Sequence, residues 1–155
     1  MLPGGFAFDD TIRLEMIMND DFLPVTIEEC YEREIWQPDF IVVSADAYVD
    51  HPSFGHALIA RLIESQGFSV AVLPQPVTDE EFAALGEPKC AFLVSCGVVD
   101  SMVDNYTVAK RPRAEDVYSE NGVKGRRPDR VATVYARTLK RLFPDSTVIL
   151  GGIEA

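Results

Sequence analysis

The sequence predicts a three-layer α/β fold, Rossmann-like in plan and built on a mainly parallel sheet. Three observations carry this. Four short, nearly continuous apolar runs rich in β-branched residues occupy 40–43, 68–73, 90–96 and 147–150, as expected of strands buried on both faces. Segments with apolar residues at helical spacing separate them. Residues 39–74 read as one complete strand–helix–strand unit, with Gly67 placed to end the helix and Pro74 to end the second strand. Two parallel strands joined by one helix cross over right-handedly.

The elements follow in order. Residues 1–24 show no clear periodicity and are expected to form an N-terminal arm, leaving 25–155 as the domain proper. Thr26-Ile27-Glu28-Glu29 has the form of a capping box and opens a short helix to about Glu34. After the first strand, Ser53 is read as the cap of a helix over 54–66 whose apolar stripe is Leu58, Ile59, Leu62 and Ile63. Thr78-Asp79-Glu80-Glu81 starts another short helix, closed by Gly86. The stretch from Gly97 to Arg127 has no regular pattern, and a loop of that length is expected to be functional and mobile. Pro128-Asp129 begins a helix with Ala132, Tyr135, Leu139 and Leu142 on one face, so it covers one side of the sheet. Gly151-Gly152 stands at the end of the fourth strand.

Composition sets the bounds. A chain of 155 residues, 47% of them hydrophobic, is the size of one ordinary domain. The first twenty residues carry acids where a signal peptide needs bases, so a cytoplasmic location is expected. Cys30, Cys90 and Cys96 are read as core thiols, since neither CxxC nor CxxxCxxC occurs. The net charge of −11 argues against nucleic acid. Its distribution is uneven: residues 110–141 hold ten of the fourteen basic residues against four acids, a local +6 that leaves −17 elsewhere. The basic loop residues Lys110, Arg111, Arg113, Lys124, Arg126 and Arg127 are therefore candidates to meet an anionic ligand or partner surface.

In open parallel sheets ligands bind beyond the carboxyl ends of the strands, where strand order reverses. The residues placed there are Ser44, Asp46, Asp50, His51, Ser53 and Gly55 after the first strand. Ser95, Gly97 and Asp100 follow the third, and Gly151 and Gly152 the fourth. Neither GxGxxG nor GxxxxGK[ST] is present, so the dinucleotide and Walker readings lack their signature. His51 beside Asp50 has no third residue at metal-ligand spacing, and no catalytic or metal residue is assigned.

One family likeness runs through these motifs. FLPVTIEECYEREIWQPDFIVVSADAYVDHPSFGHALIARLIESQGFSVAVLPQP resembles the N-terminal region of YgiQ-type radical S-adenosylmethionine proteins. The likeness continues through AFLVSCGVVDSMVDNYTVAKRPR, GVKGRRPDR and VILGGIEA, covering residues 22–155. The resemblance implies a module that precedes a TIM-like catalytic domain, in which a CxxxCxxC motif holds a [4Fe-4S] cluster that reductively cleaves S-adenosylmethionine. That motif is absent from this sequence, so the implied role is a non-catalytic docking or substrate-binding module, inactive alone, with the catalytic domain of the same protein as its partner. The chain is also similar to cobalamin-binding and flavodoxin-like domains. Asp50-His51-Pro52-Ser53-Phe54-Gly55 departs from the DxHxxG pattern, which argues against cobalt ligation by His51. The alternative expectation is a self-sufficient binder of a cobalamin- or flavin-like molecule at Ser44, Asp50, Ser53, Ser95, Gly97 and Gly151.

Overall fold

The computed structural model describes residues 22–155. Most of the expected N-terminal arm lies outside the described residues. Four strands form one all-parallel sheet: β1 (Phe40–Ser44), β2 (Val70–Pro74), β3 (Ala91–Ser95) and β4 (Val148–Gly151). Their order is β2-β1-β3-β4, in register from Phe40 opposite Val70 and Ala91 to Ser95 opposite Gly151. The chain winds outward to β2, then returns across β1 to β3. The reversal point therefore lies between the carboxyl ends of β1 and β3, at Ser44 and Ser95.

Right-handed crossovers decide which face each helix takes. The helix α1 (Ile27–Glu32) precedes β1, and α2 (Gly55–Glu64) joins β1 to β2. The short helix α3 (Asp79–Ala83) lies between β2 and β3. After β3 come α4 (Ser101–Asn105) and the long helix α5 (Val131–Leu142). Because the chain moves one way for β1 to β2 and the other for the later crossovers, α2 covers one face while α3 and α5 share the opposite face. The two cores follow this division. Ile41, Val43, Phe92 and Val94 pack with Cys30, Phe82, Val131, Tyr135 and Leu139. On the α2 side, Val42, Val70 and Val72 pack with Ala60 and Leu23.

Residues 22–25 wrap the outer edge of β2. Leu23 is buried against the α2 side, and the carbonyl of Pro24 accepts a hydrogen bond from Val72 N at 2.9 Å. Both capping boxes form as the sequence implies, Thr26 with Glu29 and Thr78 with Glu81. Thr26→Ala is expected to lower stability by about 1 kcal/mol, read as a shift in urea midpoint at constant slope.

Three local expectations are corrected. Of the stripe expected to bury α2, only Ile63 packs against the core; Leu58, Ile59 and Leu62 are exposed, and the helix instead seats Ala57 and Ala60 on the sheet. Small side chains let its backbone lie close to the strands, and that turns the leucines away. Ser53 is not the cap, because α2 starts after Phe54 and Ser53 N donates instead to His51 Nδ1. Nor does Pro128 open α5; the helix begins at Val131, after Arg130 in a left-handed conformation (φ 55°).

Candidate functional site

The sheet reversal brings Ser44, Asp46 and Gly97 together, as expected of strand-end residues, but a fourth side chain stands among them. Arg127 reaches back from the long loop, 81 residues along the chain from Asp46, and donates from Nη2 to Asp46 Oδ1 at 2.5 Å. Its Nε lies 3.3 Å from Asp116 Oδ2 and 3.4 Å from Asp104 Oδ2. The guanidinium also lies 5.7 Å from the centre of the Tyr118 ring. Arg127, Asp46, Asp104 and Asp116 are all buried. The crevice at the reversal point is thus filled by the chain's own ion cluster.

A web of neutral donors holds the cluster in place. Val98 N donates to Asp46 Oδ2 at 2.9 Å, and Asp46 N donates to Ser44 Oγ at 3.1 Å. Ser119 Oγ and Tyr118 N donate to Asp116, and Gln75 Nε2 ties Ser119 Oγ to the carbonyl of Ala45. Buried charges persist only when paired and hydrogen-bonded in this way. One arginine faces three aspartates, and the surplus shows in their protonation. Despite the opposing cost of burial, hydrogen bonds from Ser119 and Tyr118 with Arg127 nearby hold the Asp116 carboxyl below its usual range. Burial, reinforced by Asp116, pushes Asp104 up.

Gly97 shapes the wall of this cluster. Its φ is +96°, and a Cβ added there would lie 2.5 Å from Arg127 Nη1 and 2.7 Å from Asp46 Oδ1. Glycine here gives room to a guanidinium from the same chain.

His56 sits beneath the cluster, buried on α2, with Nδ1 3.3 Å from Ser44 Oγ and Nε2 unpartnered between the rings of Tyr48 and Phe54. Burial lowers its pKa from 6.5, against the opposing pull of Asp46 and Asp50. The unfolded chain therefore takes up a proton first as pH falls. The neutral ring contributes stability that is intact above about pH 6.5 and is lost as pH drops through the lower folded value. His56→Gln is expected to flatten the loss of stability between pH 7.5 and 5, measured by urea unfolding at each pH.

Ser95 and Gly151 continue the same rim in register beside Ser44, and Gly152 lies against Cys96 and Gly97, whereas the candidates ahead of α2 and α4 stand apart. Asp50 pairs with Arg61 on α2. His51 and Ser53 are exposed in the turn before that helix, and Gly55 is exposed as its first residue. Asp100 caps α4, accepting from Met102 N and Val103 N at 3.0 and 3.1 Å. Ser95 is half-buried, and Gly151 and Gly152 are exposed at the end of β4. The basic loop is also corrected, because three of its cations are used internally. Lys124 donates to the carbonyls of Asn105 and Arg113, Arg126 to the carbonyl of Gln75 and to Glu81, and Arg127 is buried. Lys110 and Arg111 stay exposed, as does Arg113, whose Nε lies 3.4 Å from the carbonyl of Val103. The loop itself is tied by these bonds and by α4, in place of the patternless stretch expected. Two shallow clefts of about 470 and 490 Å³ flank Arg33 near the β2 edge, the second at the amino-terminal end of that strand.

The three cysteines do not gather. Cys30 and Cys96 are buried in the core and Cys90 is exposed, and among the described residues no group of three His, Cys, Asp or Glu is placed to hold a metal ion. Burial pushes the Cys96 thiol up to about 11, which leaves it a poor nucleophile at neutral pH. These residues do not fit an iron–sulfur cluster. No helix of the described residues is long and apolar enough to cross a membrane.

A four-stranded, all-parallel sheet wound in this order and flanked by helices defines a Rossmann-like α/β module. The comparison with known families makes it specific: the radical SAM N-terminal family model matches residues 22–155, and the chain belongs to that family. The match bears out the resemblance to the N-terminal region of YgiQ-type proteins. A UPF0313 protein of Clostridium botulinum (strain Loch Maree / Type A3) is 51% identical over 139 residues, covering 88% of this chain and 22% of that protein. A UPF0313 protein of Thermotoga maritima is 47% identical over 136 residues, covering 86% of this chain and 24% of its own length. The chain thus spans less than a quarter of these relatives. No solved structure matches it.

Proposed function

We propose that this chain is a non-catalytic docking module of a cytoplasmic radical SAM enzyme, positioning the remainder of that protein without taking part in its chemistry. The reading rests chiefly on the filled crevice. Arg127 and its aspartates occupy the place where sheets of this order receive a ligand. The family model and the partial coverage of the relatives support a partner in the same polypeptide. In the full protein the family implies a [4Fe-4S] cluster and S-adenosylmethionine, bound by residues outside this chain.

The competing reading is a cobalamin- or flavin-binding domain. It places Ser44, Asp50, Ser53, Ser95, Gly97 and Gly151 against a ligand, whereas Ser44 Oγ is engaged by Asp46 N and His56, Asp50 pairs with Arg61, and Gly97 is closed off by Arg127. Absorbance titration of the purified chain with hydroxocobalamin and with flavin mononucleotide separates the two. No saturable spectral change is expected with either, and a stoichiometric change with one of them would overturn the docking reading.

A further inference from the structure

We infer that the outer edge of β4, with the apolar surface beside it, is a strand-addition site for the polypeptide that follows the matched segment in full-length UPF0313 relatives. This rests on the docking reading above and names its surface. The geometry of the edge comes first. The carbonyls of Thr147 and Gly151 accept hydrogen bonds from Phe92 N and Cys96 N. Strand residues alternate in the direction of their backbone polar groups, so the N–H and C=O of Val148 and Leu150 point away from β3. The opposite edge of the sheet differs, since Pro24 already bonds to β2 there.

Edge strands that remain solvent-facing are ordinarily protected by charge, proline or a bulge. β4 reads Val-Ile-Leu-Gly and has none of these. Ile149 is 51% exposed and Leu150 42%, and Ile153 just beyond is 71% exposed. The surface extends round the sheet. Both crossover helices after β2 take the opposite face, so on the α2 side Leu93 is only half-buried against the core and Ile149, opposite it in register, stays exposed. On that side α2 presents Leu58, Ile59 and Leu62 outward. An uncharged strand edge beside an aliphatic surface selects an extended apolar protein segment over an ionic ligand.

The occupant follows from chain length. The match covers 22% of the Clostridium botulinum relative and 24% of the Thermotoga maritima one, under a family description that places it N-terminal, so most of each relative's polypeptide is available to pair.

Amide hydrogen exchange on the 155-residue chain and on the full-length Clostridium botulinum relative tests this. The β4 segment is expected to exchange at least tenfold more slowly in the full-length protein. Leu150→Pro removes an outward N–H and no bond to β3, so the 155-residue chain is expected to stay folded with only a small drop in urea midpoint. Its counterpart is expected to abolish the protection in the full-length relative. Ile149→Lys, which keeps every backbone donor, is the second variant and is expected to do the same. Equal exchange of β4 in both proteins, with protection elsewhere on the module, would overturn this inference and leave the docking reading standing. No added protection anywhere on the module would overturn both. Protection already present in the 155-residue chain, and lost on dilution or on removal of residues 1–21, would assign the edge to a second copy or to those residues and also overturn it.

Discussion

Arg127→Met is expected to destabilise the domain by about 3–5 kcal/mol, a drop in Tm on the order of 10 °C. Methionine replaces the aliphatic stem of arginine as far as Nε, so the variant loses the guanidinium's charge and hydrogen bonds and leaves a small void in its place. Asp46, Asp104 and Asp116 would remain buried with no cation among them. Removing one partner of a buried ion pair costs far more than the pair itself contributes, because the remaining charge stays out of water. An arginine facing an anionic ligand would behave oppositely, since its removal relieves like-charge crowding in the empty protein. Urea unfolding of the purified variant at neutral pH measures the difference. The variant should regain part of its stability as pH falls and the stranded carboxylates take up protons in the folded state.

Gly97→Ala is expected to cost about 2–4 kcal/mol through two additive causes. The backbone at φ +96° is strained for any residue with a Cβ, which alone amounts to about 1–3 kcal/mol. The added methyl would also meet Arg127 Nη1 at 2.5 Å and Asp46 Oδ1 at 2.7 Å, forcing the buried pair to move. Gly67→Ala provides the control. Gly67 has a similar φ of +88° at the end of α2 but nothing within 4 Å of the added Cβ. It should cost only about 1 kcal/mol, so the difference in urea midpoint between the variants isolates the steric contribution at the crevice.

The legible parts of this fold are those whose cause is local. The four strands follow from apolar runs a few residues long, the two capping boxes from residues three apart, and the α5 seam of Ala132, Tyr135 and Leu139 from one helical period. Where size competes with hydropathy, local pattern misleads. Ala57 and Ala60 take the buried side of α2 over the larger Leu58, Ile59 and Leu62, because close helix–sheet approach favours small side chains. The helix α4 is five residues long, too short to show a period, and its one clue is Asp100 standing as a cap.

The ion cluster is half legible. Asp46 and Gly97 fall at strand ends by sequence alone, and Arg127 stands out as a basic residue in want of an anionic counterpart. That the counterpart is the chain's own Asp46, 81 residues away, depends on topology that the loop sequence does not encode. Asp104, Asp116 and Gln75 give no signal, since acids and amides in an irregular stretch resemble solvated loop residues. Their meaning appears only when the chain reverses between β1 and β3 and creates a crevice to be filled.

A double-mutant cycle of Asp46→Asn and Arg127→Met, followed by urea unfolding, measures the interaction that closes this crevice. A coupling energy of about 2 kcal/mol or more is expected if the two side chains are locked together out of water. Additive effects, with a coupling indistinguishable from zero, would mean that the strand ends are open to solvent and to ligands.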